Sequence, residues 1–93
     1  MAPKWTDSAG KHRIPRPDQV YAIVHANYMS KLDSEKVDKG VVWLYVGHPH
    51  AQTDREIEVL VNVYSDGREA VVFHAMDLGP KFTRYREENP DGN

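Results

Sequence analysis

The sequence predicts a small α+β domain: an antiparallel sheet of three to four strands packed against N-terminal helices, with one short helix at the C-terminal end. Three observations predict it. One early segment has apolar residues at helical spacing, three later segments are rich in β-branched and aromatic residues, and a Gly-Pro step precedes a final charged segment. The 93 residues suffice for one domain but not for two that each bury a core. We therefore predict a single domain over residues 1–93, with 1–9 and 89–93 as flexible ends.

Two helices are predicted before the sheet. An N-cap residue at positions 6–8 favours a short helix running to about residue 12. The stronger signal covers residues 17 to about 26. Pro17 suits the first helical position, Asp18 favours the positive end of the helix dipole, and apolar residues recur at positions 20, 23 and 24. The sequence therefore predicts one firm helix with a shorter one before it.

Three antiparallel strands are predicted near residues 41–47, 57–64 and 69–76, with Asp66-Gly67 as a tight hairpin turn. The polar segment 29–40 is predicted to contain a turn or a poorly paired edge strand. Alternation along the strands then assigns their faces. Positions 57, 59, 61 and 63 form an aliphatic row that is matched by 71, 73 and 75 on the next strand; this face covers the helix, and His74 lies on the opposite face. Trp43 and Tyr45 are expected on the His74 face, because positions 42, 44 and 46 form the better core set.

After the Gly79-Pro80 step, residues 81–88 are predicted to form two helical turns. Phe82 and Tyr85 lie three residues apart and are expected to dock on the edge of the sheet. This leaves three cations directed towards solvent or a ligand: Lys81, Arg84 and Arg86.

Composition and charge exclude several classes of protein. Without cysteine, neither a disulfide framework nor a thiolate metal site is expected, and a cytoplasmic location is predicted. The longest apolar run, residues 41–47, is far shorter than the roughly 20 residues of a membrane span, so no membrane partner is expected. The net charge is −2, but residues 1–16 carry four basic groups against one acidic group, and residues 81–88 carry three against two. If the fold joins these segments, it creates a basic surface.

Seven motifs follow one another along most of the chain. They are Trp5 with Asp7, KHRI at 11–14, the helix PDQVYAIV, YVG at 45–47, IEVLV at 57–61, VVFHAM at 71–76 and KFTRYREE at 81–88. This order resembles the BrnT-type toxins of bacterial toxin–antitoxin systems, a branch of the RelE-like ribonuclease superfamily. Arg13 stands where those chains usually have glycine, and Met76 where they usually have arginine. The resemblance implies a RelE-like fold, cleavage of mRNA without a metal, and inhibition by a cognate antitoxin.

The residues also support RNA cleavage on chemical grounds. Attack of a ribose 2′-hydroxyl on the adjacent phosphate needs a base, an acid for the leaving 5′-oxygen, and cations around the phosphorane. His74 and His12 are the candidates for proton transfer, because histidine exchanges protons near neutral pH. The candidate catalytic cations are Lys81 and Arg84. Further residues are expected to bind RNA through a positive charge or by stacking on bases: Lys11, Arg86, Trp43, Tyr45 and Tyr85.

Each assignment has a plainer structural alternative that the sequence leaves open. His74 suits a histidine satisfied by a neighbouring strand, and His12 suits the end of a helix. The C-terminal cations suit a solvated helix face, and the aromatic residues at 43 and 45 suit a core or a patch for a partner. His48 and His50 could share a metal, but no third ligand has diagnostic spacing. No metal site and no cofactor are therefore predicted.

The leading hypothesis is a BrnT-like toxin, a metal-independent endoribonuclease whose partners are an antitoxin and RNA, with action on the ribosome and oligomeric state left open. The second hypothesis is a non-catalytic module on the same fold, a degenerate or phage-borne relative that binds a protein partner. The low net charge, the methionine in place of arginine at position 76, and the exposed aromatic row that includes Trp43 and Tyr45 favour the second hypothesis. A generic metal-dependent hydrolase is a distant third.

Overall fold

In a computed structural model, which describes residues 3–32 and 40–92, one five-stranded mixed sheet carries a helix on each face. The elements are, in order, β1 (Lys4–Trp5), a 3₁₀ helix (Asp7–Gly10), α1 (Arg16–Val24), β2 (Tyr28–Leu32), β3 (Val41–Gly47), β4 (Ile57–Val63), β5 (Val71–Asp77) and α2 (Pro80–Glu88). The strand order is β1-β5-β4-β3-β2, in which β1 runs parallel to β5 and the other neighbours are antiparallel. The predicted α+β class is confirmed. The expected three to four strands are corrected to five, and the sheet is mixed because of β1.

The helices and the three long strands lie close to their predicted positions. α1 begins one residue before Pro17 and ends at Val24, because His25 leaves the helical conformation at φ −113° and ψ 34°. β3 has the predicted bounds, and β4 and β5 differ by one or two residues. The predicted tight hairpin turn is wrong: residues 64–70 form a seven-residue loop with a bend at Asp66-Gly67, where Gly67 has φ 90°, which glycine tolerates, and the N–H of Arg68 donates to Oδ1 of Asp66 (3.1 Å).

Two strands lie outside the three that were predicted firmly. β2 is a regular edge strand, paired with β3 over all five residues, and it buries Tyr28, Ser30 and Leu32. β1 is only two residues long and pairs with Val71 and Val72. Residues 33–39 of the predicted turn segment lie outside the described residues. The flexibility expected of 1–9 and 89–93 stays a prediction.

A β-bulge in β5 determines which side chains face which helix. Leu60 pairs with His74, but the next residue, Val61, pairs with Val72, so that Phe73 is an additional residue on β5. Val72 is therefore buried with Val61 on the α1 side, whereas Phe73 packs against the core under α2. The prediction that Phe73 faces α1 is wrong, because simple alternation does not allow for the extra residue.

Both faces of the sheet bury an apolar core. The α1 side contains Ala9, Ile14, Ala22, Ile57, Val59, Val61, Val72 and Ala75. The α2 side contains Tyr28, Leu32, Val42, Leu44, Val46, Leu60 and Phe82. α2 covers this face from the core, where Phe82 is buried, to the edge strand β2, where Tyr85 hydrogen-bonds Ser30; the predicted docking at the sheet edge therefore holds for Tyr85 and not for Phe82. Neither helix of the described part of the chain is long and apolar enough to cross a membrane.

The second core corrects the predicted orientation of β3. Leu44 pairs with Leu60, which shares its face with His74, and the inward row of β3 therefore lies under α2. Trp43 and Tyr45 pair with Val61 and Val59 and consequently face α1. The expectation that they share the His74 face is wrong, because α2 provides an apolar cover that the sequence analysis placed elsewhere.

Candidate active site

A pocket of about 330 Å³ opens between the sheet and the beginning of α2. Its lining consists of Glu58, Leu60, His74, Met76, Gly79, Pro80, Lys81 and Phe82. Two of the four predicted catalytic residues, His74 and Lys81, are thus brought into one pocket. They come from consecutive elements, because β5 ends at Asp77 and the extended Gly79 lets α2 begin immediately at Pro80.

A buried carboxylate holds the imidazole of His74. The Glu58 side chain is only 5% exposed and the His74 side chain is 26% exposed; their atoms Oε2 and Nε2 lie 2.8 Å apart. The other oxygen, Oε1, accepts the N–H of Gly79 (2.8 Å). Ionised carboxylates only accept hydrogen bonds, so with Glu58 ionised, Nε2 of His74 donates and Nδ1 is the nitrogen that can take up a proton. No residue in the described part of the chain forms a hydrogen bond with that Nδ1.

His12 lies directly beside this pair. The centroids of the His12 and His74 rings are 5.7 Å apart, and the ring planes meet edge to face at 76°. The 3₁₀ helix reaches β5 through Ser8, whose hydroxyl donates to the carbonyl of Phe73 (2.6 Å). Arg13 then turns the chain with φ 62°, a left-handed conformation that favours glycine. The N-terminal segment and the last strand therefore meet, as the proton-transfer hypothesis requires.

Gln19 fixes the N-terminal segment from the other side. Its amide is buried, accepts the indole N–H of Trp5 (2.9 Å), and donates to the carbonyls of Ala9 (3.1 Å) and Ile14 (2.8 Å). One side chain on α1 thereby orients β1, the 3₁₀ helix and the turn that carries His12. Sequence reasoning missed this residue, although a glutamine amid the apolar positions of α1 was a visible signal.

Lys11 precedes His12 but lies in a different pocket. That pocket, of about 280 Å³, is lined by Trp5, Thr6, Asp7, Gly10, Lys11, Ile14, Arg16 and Gln19. The guanidinium of Arg16 stacks over the Trp5 ring at 5.3 Å from its centroid. Lys11 is therefore next to the candidate site along the chain, but it is not part of the lining around His74.

The cations of α2 have three different surroundings. The Lys81 ammonium lies 5.1 Å from the centroid of Phe82, inside the pocket lining, whereas Arg84 is exposed one helical turn further on. Arg86 forms two hydrogen bonds with Glu56, of 2.9 and 3.2 Å. These bonds lower the pKa of Glu56 and raise the pKa of Arg86. Arg86 was expected to point towards solvent or a ligand and instead binds Glu56, the residue before β4.

The three aromatic residues that were predicted to stack on bases lie on the faces of the sheet that the two helices cover: Trp43, Tyr45 and Tyr85. Tyr85 hydrogen-bonds Ser30 through its hydroxyl (2.8 Å) and packs in the core under α2. Trp43 and Tyr45 are half-buried on the α1 side, where burial raises the pKa of the Tyr45 phenol. None of these aromatic residues belongs to the lining of the pocket that holds His74.

The histidine pair in the loop before β4 makes local contacts. Nδ1 of His48 donates to the Arg55 carbonyl (2.8 Å), and Nδ1 of His50 accepts the N–H of Gln52 (3.3 Å). Within residues 3–32 and 40–92, no three histidine, aspartate or glutamate side chains are grouped closely enough to hold a metal ion.

The assembled site contains the groups needed for proton transfer at a phosphate. Two adjacent imidazoles can act as base and acid, the Glu58 carboxylate can stabilise an imidazolium, and Lys81 supplies positive charge. Sequence alternation placed Glu58 on the His74 face but did not identify it as a partner of His74. Comparisons of the chain with protein-family models, with curated proteins and with solved structures find no match in any of the three.

Proposed function

We propose that this chain is a BrnT/RelE-like toxin: a cytoplasmic, metal-independent endoribonuclease that cleaves mRNA and is held inactive by a cognate antitoxin. The observation that carries the proposal is the contact between the His12 and His74 rings, 5.7 Å apart, beside the Glu58 carboxylate. Two imidazoles with one oriented by a carboxylate form a general acid–base pair, and such catalysis contributes roughly 10²–10⁴-fold to a rate.

In the proposed reaction, Nδ1 of His74 takes the proton of a ribose 2′-hydroxyl. The 2′-oxygen bonds to the adjacent phosphorus, and the bond from phosphorus to the 5′-oxygen breaks. Protonated His12 gives its proton to that 5′-oxygen, so the products are a 2′,3′-cyclic phosphate and a 5′-hydroxyl. Glu58 holds the imidazolium of His74, and Lys81 and Arg84 stabilise the charge on the phosphorane.

The conformation of Arg13 supports the resemblance to BrnT-type toxins. Those chains usually have glycine at this position, and here the residue has φ 62°, in the region where glycine is favoured. Likewise, a Cβ at Gly47, the glycine of the YVG motif, would lie 2.7 Å from the carbonyl oxygen of Ala22. Both positions therefore have a backbone reason to favour glycine: a positive φ at position 13 and a close approach to α1 at position 47.

The test is RNA cleavage by the purified chain in the presence of a metal chelator. We expect cyclic-phosphate products, and we expect His74→Ala and His12→Ala each to reduce the rate by at least about 100-fold. His25→Ala is the matched control, because His25 is exposed at the end of α1, where its ring lies beside that of Tyr21 and outside the candidate site. Full activity in both site variants, or equal losses in the control, would reject the assigned roles.

The alternative function, a module that binds a protein without catalysis, has one structural observation in its favour. Val20 and Val24 lie one helical turn apart on α1 and are 41% and 68% exposed. Co-purification with the product of the neighbouring gene, with and without Val24→Lys, examines this surface. Binding without any RNA cleavage would favour the alternative over the toxin.

A further inference from the structure

The pocket beside His74 has a rim and a floor of different chemistry. Lys81 and Pro80 are exposed and His74 is half-buried, so these residues form the rim. Leu60 and Phe82 are 8% and 5% exposed and form the floor. Met76 completes the apolar wall, with its terminal methyl group facing the beginning of α2 near Gly79.

A phosphate suits only the rim of this pocket. The Lys81 ammonium there can pair with its charge and the His74 imidazole can hydrogen-bond it, whereas burying an anion against leucine, methionine and phenylalanine would cost several kcal/mol without compensation. The floor calls for a flat, largely apolar group that is joined to the phosphate. At about 330 Å³, the pocket lies at the small end of the roughly 300–1,000 Å³ range of small-molecule sites and suits one ring system.

We propose that this floor receives one unstacked nucleobase of the RNA, while the adjacent phosphate lies at the His74 and Lys81 rim. That the ligand is RNA rests on the proposed function. The new inference is that this RNA is single-stranded, either as a free strand or as a loop. A base that is paired within an A-form duplex cannot leave the stack to enter such a pocket without the loss of its pairing.

The test compares three probes at matched phosphate concentration. They are a ten-nucleotide single-stranded RNA of mixed sequence, an abasic oligomer with the same number of phosphates, and the single strand annealed to its complement, which has twice that number and is therefore compared at matched phosphate concentration. All carry 2′-O-methyl groups, so that no probe can be cleaved during the measurement. Binding is followed by fluorescence anisotropy at fixed salt, because phosphate contacts depend strongly on ionic strength.

We expect the single strand to bind about 5- to 100-fold more tightly than the abasic oligomer, since stacking of one base accounts for a difference of that order. Met76→Gln should weaken binding of the single strand by about 3- to 10-fold and leave the abasic oligomer unaffected. Met29→Gln is the matched control, because Met29 is 48% exposed on β2, two strands away from β4 and the pocket. Circular dichroism and thermal denaturation check that both variants are folded.

Equal affinity for the single strand and the abasic oligomer, or an equal effect of both methionine variants, would overturn the inference. Duplex binding as tight as single-strand binding would do the same. Cleavage of unmodified RNA is measured separately. Base-dependent binding without cleavage would support the base pocket and reject the nuclease proposal. Cleavage with base-independent binding would reject the base pocket and support the nuclease proposal.

Discussion

Removal of the Glu58 carboxylate tests whether its hydrogen bonds to His74 and Gly79 also stabilise the fold. Glu58→Ala leaves Nε2 of His74 and the N–H of Gly79 without their partner, at distances that are both 2.8 Å in the intact chain. A hydrogen bond to a charged group contributes about 1.5–3 kcal/mol, and breaking a buried charged pair costs about 3–5 kcal/mol. Because His74 and Gly79 are half-buried and water can reach them, we expect the free energy of unfolding to fall by about 3 kcal/mol.

Two further variants separate charge from packing. Glu58→Gln keeps the shape of the side chain and an acceptor for the Gly79 N–H, so we expect a loss of only about 1–2 kcal/mol. Glu88→Ala removes an exposed glutamate at the end of α2 and should change stability by less than about 0.5 kcal/mol.

The assay is urea denaturation at neutral pH, followed by the fluorescence of Trp5 and Trp43, with a double-mutant cycle between Glu58→Ala and His74→Ala. The cycle should give a coupling energy of at least about 1 kcal/mol, because the two side chains are in direct contact. A Glu58→Ala variant within about 0.5 kcal/mol of the parent chain, or a coupling energy near zero, would refute the assignment of Glu58 as the group that orients His74.

Three further outcomes follow from the backbone and the surface charges. Arg13→Gly should raise the free energy of unfolding by about 0.5–1 kcal/mol in thermal denaturation, because glycine adopts φ 62° without strain. Gly10→Ala is the control and should be nearly neutral, because a Cβ there meets open space. A lower stability of the Arg13→Gly variant would contradict this reasoning. Gly47→Ala should cost about 1–3 kcal/mol in urea, since its Cβ would lie 2.7 Å from a carbonyl oxygen of α1, and a neutral result would show that α1 can move. Glu56→Gln should lower the free energy of unfolding by about 0.5–1 kcal/mol at pH 7, because Arg86 lowers the pKa of Glu56 below its ordinary value of 4.5. The stabilisation by this ion pair is fully present above pH 4.5 and is lost as the pH falls through the lower folded-state pKa. A stability difference between variant and parent that persists unchanged in acid would contradict this assignment.

Local signals were sufficient wherever an element stabilises itself through its own pattern. The predicted bounds of β3 are confirmed, because its β-branched and aromatic run is enclosed by Gly40 on one side and His48-Pro49 on the other. The end of β5 and the start of α2 were likewise visible in the Gly79-Pro80 step. This local geometry is what brings His74 and Lys81 into one pocket.

Pairing between distant segments could not be predicted in the same way. β1 has two residues, too few for any periodicity, and it pairs with a strand more than 60 positions away. The contact between Glu58 and His74 depends on the register of β4 and β5, in which His74 lies opposite Leu60 and diagonally adjacent to Glu58. A glutamate in a strand is usually solvated, so alternation alone gave no reason to bury this one.

Because of the extra residue Phe73, the residues on either side of it in β5 pack against different helices. Ahead of the bulge, Val72 belongs to the α1 core; beyond it, His74 lines the pocket at the beginning of α2. Deleting the residue at position 73 would leave Leu60 opposite His74 and Val61 opposite Val72, so the strand would become regular without exchanging its two faces. The deletion would therefore remove the Phe73 side chain from the core under α2 but leave His74 on the face that carries Glu58, so the bulge serves packing and not the orientation of the imidazole.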